Sequence, residues 1–220
     1  IKLKVRLVDC VGYLVEGALG HLENDVPRMV DTPWFEEKIP FGEAAEIGTK
    51  KVITEHSTIG LVVTTDGSIT DIARSEYEEA EERVITEMKN TGKPFAILLN
   101  CIDPAQEETL AIREMLGEKY GVPVLPVNCS SMSQEDINDI MQTVLYEFPI
   151  CEIGINIPSW MVSLDYNEAL KASLTDAIRD SFESASKVRH ISKCVEALEN
   201  YPFIKKATVS SINAGSGCSL

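Results

Sequence analysis

Asp9 and Gly12, in the stretch VRLVDCVGY at residues 5–13, have the types and spacing of a phosphate-side nucleotide site. An aspartate at the tip of a strand can hold magnesium through water. A glycine three residues later lets its N–H approach a terminal phosphate, because no side chain stands between them. The pattern is short, and an acid that merely ends a strand fits it equally well. Its weight depends on what stands at the ends of the other strands.

Two later groups occupy such ends. LLNCID places Asn100 and Asp103 after an apolar run. In phosphate-loop GTPases this position carries N-K-x-D, where the aspartate accepts from the guanine edge and the lysine stem covers the base. Here Cys101 stands where that lysine would be. The alternative is a strand-to-helix turn, with Asp103 capping a helix that starts after Pro104. VNCSSMS then sets Ser130 and Ser131 after the next apolar run, where the same proteins place a short polar loop against the base. Its alternative is a loop leading into a helix cap at Ser133. Three weak signals in the right order at the right strand ends support one another.

Other candidates carry less. VTTDGS offers Thr64, Thr65 and Asp66 at a strand tip, but Asp-Gly is first a turn signal. Most of the acids of 76–87 read as a solvated helix face. Six widely spaced cysteines without a CxxC pair suit reduced thiols, with Cys10, Cys101 and Cys129 buried at strand ends. Three histidines at no ligand spacing argue against zinc.

The elements that must position these residues follow from hydrophobic pattern. IKLKVRLV (1–8), STIGLVVTT (57–65), PFAILLN (94–100) and VPVLPVN (122–128) read as strands, the last three continuous enough to be covered on both faces of a parallel sheet. Helices are expected over 75–91, stopping at Gly92, over 105–116, stopping at Gly117, and over 133–147. The first of these carries Tyr77, Ala80, Val84, Ile85 and Met88 on one stripe. The last has a capping box between Ser133 and Asp136 and sets Ile137, Ile140, Met141, Val144 and Leu145 inward. Residues 13–56 form a long insertion with a helix from Glu43 to Thr54. In it, Trp34 and Phe35 either pin the insertion down or make a docking surface.

After Pro149 the texture changes to a short strand region, two amphipathic helices over 167–187 and 188–200, and a final strand from Lys205 that dissolves into glycine and serine. A boundary near 150 gives residues 1–150 as a partial nucleotide-hydrolase domain and 151–220 as a smaller middle domain. Charge divides there too: 13 basic and 27 acidic residues before, 7 and 8 after, for a net charge of −15 in 220 residues. So acidic a surface repels phosphate backbones and argues against nucleic acid. No apolar run reaches membrane-span length, and no signal peptide is present. The chain opens with Ile1, which reads as an excerpt of a longer protein.

The segments RMVDTPWFEEKIPFGEAAEIGTKKVITEHSTIGLVVTTDGSI, YEEAEERVITEMKNTGKPF, EKYGVPVLPVNCSSMSQEDI and VLYEFPICEIGINIPSW resemble the stage IV sporulation protein A family, the morphogenetic ATPases of endospore-forming bacteria. The likeness runs from residue 1 to at least 160, and more loosely to the end. It implies ATP and Mg2+ as the nucleotide and metal of the full-length parent, with Asp9 as the Walker B acid and Gly12 as the γ-phosphate contact. Asn100, Asp103 and Ser130 fall at its nucleotide-binding strand ends. It further implies hydrolysis coupled to polymerisation with other copies into a layer around the forespore, in the mother-cell cytoplasm. A small amphipathic membrane peptide and coat morphogenetic proteins are the other implied partners. The family's Gly-x-x-x-x-Gly-Lys-Ser/Thr loop has no counterpart in these 220 residues, so the segment by itself is expected to bind no nucleotide and to be inactive.

The expected fold is therefore α/β: a three-layer P-loop NTPase-like domain with a parallel sheet, lacking its first strands and phosphate loop, then a smaller α+β middle domain. The leading functional expectation is a self-assembling spore-coat ATPase. A regulatory GTPase switch that does not polymerise, and a pure interaction module, are the alternatives. Cys101 argues against the GTPase.

Overall fold

The computed structural model describes residues 4–18, 20–23, 26–165, 168–213 and 218–219. It divides into two units, residues 1–140 and 141–220, each taken here by itself.

The first unit opens with two short antiparallel ribbons in the insertion, β1 (Leu22–Glu23) with β2 (Val26–Pro27), and β3 (Met29–Val30) with β4 (Ile39–Pro40). Helix α1 follows at Phe41–Lys51 and runs into a wider π-helical turn at Val52–His56. The expected helix over 43–54 thus starts two residues earlier. Its end is fixed by Lys93, whose Nζ donates to the carbonyls of Ile53, Thr54 and Ser57, each at 2.7 Å. A cation on these carbonyls, of which that of Ile53 also accepts from Ser57 Oγ at 2.9 Å, complements the helix dipole.

The sheet proper is β5 (Gly60–Thr65), β6 (Phe95–Asn100) and β7 (Val124–Val127), all parallel, with β6 in the middle. Between β5 and β6 come a 3-10 turn at Arg74–Tyr77 and α2 (Glu78–Thr91); between β6 and β7 comes α3 (Glu107–Tyr120), and α4 (Gln134–Tyr146) follows. The continuous apolar run of β6 is explained by two covered faces, whereas Val63 of β5 is exposed and that strand is covered less fully than expected. Phe95, Ile97 and Leu99 pack toward Ile85 and Met88 of α2 and Leu116 and Tyr120 of α3. Leu98 and Val127 pack toward Ile140 of α4 on the other face. Each such side chain contributes roughly 1.5–3 kcal/mol on burial, which is why β6 anchors the whole layer. The three-layer α/β reading is correct.

Three further expectations differ in this unit. The run at residues 4–8 forms no strand: Val5, Leu7 and Val8 are exposed, and no strand among the described residues pairs with them. Apolar character alone does not make a strand, because main-chain groups need a ladder partner. Ile1, Lys2 and Leu3 of that run lie outside the described residues. Helix α3 passes through Gly117 and stops at Gly121, which takes the left-handed conformation (φ +67°) and returns its N–H to the Gly117 carbonyl at 2.9 Å. In α4 the Ser133–Asp136 capping box is present, Ser133 donating its N–H at 2.7 Å and its Oγ accepting the Asp136 N–H at 3.1 Å. Ile137, however, faces solvent while Ile140 and Val144 are buried.

In the second unit, β8 (Glu152–Ile153) pairs in parallel with β10 (Cys218–Ser219), and β10 pairs antiparallel with β9 (Ile212–Asn213). A short α5 (Ser159–Val162), then α6 (Ala169–Phe182) and α7 (Ile191–Leu198), complete it. Tyr166, Asn167 and the Gly/Ser stretch at 214–217 lie outside the described residues. Its core gathers Val188 and Ile191 with Phe148, Ile150, Val195 and Val209. The strand expected from Lys205 appears only at Ile212–Asn213, since residues 205–211 enter no ladder.

Candidate functional site

The carboxyl ends of β5, β6 and β7 meet at one polar edge, where open parallel sheets present their loops. Asn100, the last residue of β6, accepts the Cys129 N–H on its Oδ1 at 3.0 Å. Asn128 mirrors it from β7, its Nδ2 donating to the Ile102 carbonyl and its Oδ1 accepting the Ser130 N–H, both at 3.0 Å. Asp103 is exposed and accepts the Ala105 N–H at 2.9 Å, which closes the turn into α3. Ser130 is exposed beside it. Asn100, Asp103 and Ser130 are thus brought to a single edge by interlocked side-chain and main-chain bonds.

Asp66, at the tip of β5, ties this edge together. Its Oδ1 accepts from the Ser68 N–H (2.9 Å) and Oγ (2.6 Å), and its Oδ2 accepts from Thr109 Oγ1 at 2.7 Å. Ser68 Oγ in turn accepts the Ile102 N–H at 3.0 Å, which links β5 to the β6 loop. Burial pushes the Asp66 carboxyl up, but the bonds from Ser68 and Thr109 outweigh it and hold the group below the ordinary carboxylate value. The Asp-Gly turn signal was therefore correct, and the same aspartate is also a structural hub.

Beneath the edge lies a buried carboxylate that pattern reading assigned to solvent. Glu81 of α2 is 5 % exposed and accepts from Arg74 Nη2 and Thr64 Oγ1, each at 2.7 Å, with Tyr120 OH at 3.5 Å. Among five acids in its helix, Glu81 alone points at the sheet. Arg74 reaches it from the 3-10 turn that precedes α2, a pairing that spacing alone does not single out. Cys101 is fully buried, and burial together with the nearby Asp66 charge pushes its thiol up to about 11.

Asp9 and Gly12 lie elsewhere. Gly12 (φ +83°) donates its N–H to Thr49 Oγ1 of α1 at 3.0 Å. Tyr13 bonds Glu87 of α2, and its ring lies 4.6 Å from the guanidinium of Arg83, which makes a bidentate pair with Glu46 at 2.6 Å. Burial and the Glu87 carboxylate push the Tyr13 hydroxyl up. Asp9 is exposed and borders a hollow of about 430 Å³ together with Asp31, Trp34, Thr49, Lys51 and His56. Trp34 packs on Gly48 and lies 5.9 Å from Lys51, so it pins the insertion to α1, while Phe35 is exposed. Among the described residues no hydrogen bond or ion pair joins Asp9 or Gly12 to the Asn100 edge.

The donor set fits magnesium only through water at Asp9, whose carboxylate makes no hydrogen bond or ion pair among the described residues. No cluster of three metal-ligating side chains occurs among them. The Gly12 N–H does not fit a phosphate as it stands, because Thr49 already accepts it.

Comparisons with known proteins identify the family of the chain. Residues 1–149 match the model of the stage IV sporulation protein A ATPase domain, and residues 150–220 match that of the stage IV sporulation protein A middle domain. The class is an α/β ATPase-type domain followed by a second, mixed domain. The chain belongs to the stage IV sporulation protein A family. Over 217 residues it is 50 % identical to stage IV sporulation protein A of Clostridioides difficile (strain 630), 47 % to that of Bacillus subtilis (strain 168) and 43 % to that of Bacillus anthracis. Each alignment covers 99 % of this chain and 44 % of the relative, so the chain spans less than half the length of the curated relatives it matches. No solved structure matches it. Among the described residues no helix is long and apolar enough to cross a membrane.

Proposed function

We propose that this chain is the latter part of the ATPase domain and much of the middle domain of a sporulation protein that hydrolyses ATP and thereby assembles with other copies into the basement layer of the spore coat. The observation that carries this reading is the unbroken match, at 43–50 % identity, to proteins named for sporulation and to an ATPase-domain model. In this reading the protein acts in the mother-cell cytoplasm at the forespore surface, where a small amphipathic membrane peptide and coat proteins are its partners.

ATP with magnesium supplies the phosphoryl chemistry when bound. Asp9 would hold the metal through water, and the Gly12 N–H would have to leave Thr49 to reach a phosphate. Asn100, Asp103 and Ser130 would form the edge toward the base. Cys101 supports adenine over guanine: guanine selectivity uses a long aliphatic stem over the base at this position, and the side chain here is short and turned into the core. The phosphate loop is absent from these 220 residues, so the isolated segment is expected not to turn over ATP. The test is hydrolysis by the longer protein with ATP and GTP in competition. ATP preference is expected; GTP outcompeting ATP would point to the GTPase switch instead.

A further inference from the structure

The second unit contains a hollow of about 770 Å³ whose composition departs from the rest of the chain. Its walls are apolar, with Ile155, Trp160, Leu174 and Ile178 prominent, and among the described residues its only charged ones are Lys205 and Lys206. None of the described residues that line it is an aspartate or glutamate, although the chain has 35 of them and a net charge of −15. Neither lysine makes a hydrogen bond or ion pair among the described residues.

One wall is also an unpaired main-chain edge. Between Lys205 and Ser210 the only main-chain hydrogen bond among the described residues is from the Ala207 N–H to Glu199 Oε1 at 3.0 Å. Residues 155–157, which also line the hollow, have no main-chain partner among the described residues. Exposure alternates along the first segment, Ala207 and Val209 half-buried, Lys206, Thr208 and Ser210 exposed, which is strand periodicity without a ladder. Such an edge is a template for an added strand.

We propose that this hollow binds an extended acidic peptide of a partner protein, added as a strand along residues 205–210. The peptide's apolar side chains enter the hollow and its carboxylates meet Lys205 and Lys206. A fatty-acyl chain would fill the apolar volume and neutralise the lysines, but it has no main-chain groups to offer the N–H and C=O groups of 205–210, of which only the Ala207 N–H has a partner among the described residues. Those groups are what favour a peptide. The inference concerns the second unit alone and is independent of the ATPase reading.

The test uses the full-length protein, with and without ATP, and a fluorescently labelled peptide alternating glutamate and valine, followed by anisotropy. The same peptide with lysine for glutamate, the same peptide N-methylated at its valines, and phosphatidylglycerol vesicles are the comparators. Saturable binding of the acidic peptide is expected, weakened about tenfold or more by each of three changes: the lysine peptide, the N-methylated peptide, and the paired substitution Lys205→Glu with Lys206→Glu, whose circular dichroism should be unchanged. The proposal is overturned by no saturable binding up to about 1 mM, by equal binding of the two charge types, or by insensitivity to N-methylation. Binding of vesicles through the two lysines without binding of the peptide would also overturn it and assign the hollow to lipid. Loss of ATP hydrolysis alone would leave it intact.

Discussion

Residues 9–13 and the tips of β5, β6 and β7 both carry candidate nucleotide-site groups, yet the first hangs from α1 and α2 by a few side-chain contacts while the second is built into a buried sheet. On the sheet side, Asn100 and Asp66 each satisfy main-chain donors, and Asp66 also binds a hydroxyl from a neighbouring helix. On the other side, Asp9 is exposed and Gly12 is held by one hydroxyl. The difference teaches that two halves of one candidate site can differ in preorganisation: the sheet edge is set by folding, whereas the Asp9 segment is free to change partners at low cost.

Five outcomes would break or sharpen that contrast. Arg74→Ala strips the only cation from the buried Glu81 and should cost about 3–5 kcal/mol, lowering the melting temperature by about 10 °C in a thermal melt. A shift of a degree or less would mean that Glu81 is not the charge holding the sheet side together. Asp9→Ala, made in a longer protein that carries the phosphate loop, should reduce ATP hydrolysis by about a hundredfold or more and leave the melting temperature unchanged. Undiminished turnover would remove Asp9 from the metal side.

Asn100→Ala orphans the Cys129 N–H and should destabilise by about 1–2 kcal/mol, measured by urea unfolding. Asp66 gives a pH signature. Its folded carboxyl lies below the ordinary value, so its stabilisation is fully present above about pH 4 and fades as pH falls through the lower folded value. The stability gap between the native protein and Asp66→Asn should therefore be constant near neutrality and close only below that pH. The smallest effect is expected for Thr49→Val, which removes the acceptor of the Gly12 N–H. Stability should move by less than about 1 kcal/mol, while hydrogen exchange at the Gly12 amide should quicken; an unchanged exchange rate would deny that this bond holds the segment.

The sheet was legible because β5, β6 and β7 are near-continuous apolar runs, the pattern of strands in a parallel sheet, although Val63 of β5 is left exposed. The capping box at Ser133 was legible because it is local. Residues 4–8 were not, since a strand is defined by its neighbour and no single segment encodes one. Glu81 was hidden among acids of identical type, and nothing in their spacing separated it from them. Asn100, Asp103 and Ser130 could be placed together from their strand ends, but the Gly12 bond to Thr49 spans 37 residues and two elements, and no spacing rule announces it. The cation of Lys93 on three carbonyls is equally invisible in a linear reading.

That lysine clamp bears on how such a chain can vary. Because one ammonium fixes the exit of the insertion just before β5, whatever happens upstream between residues 13 and 50 is decoupled from the start of the sheet. Lengthening or rewriting that surface excursion then costs little beyond loop-closure entropy. The insertion can diverge as a recognition surface while the strands behind it keep their register.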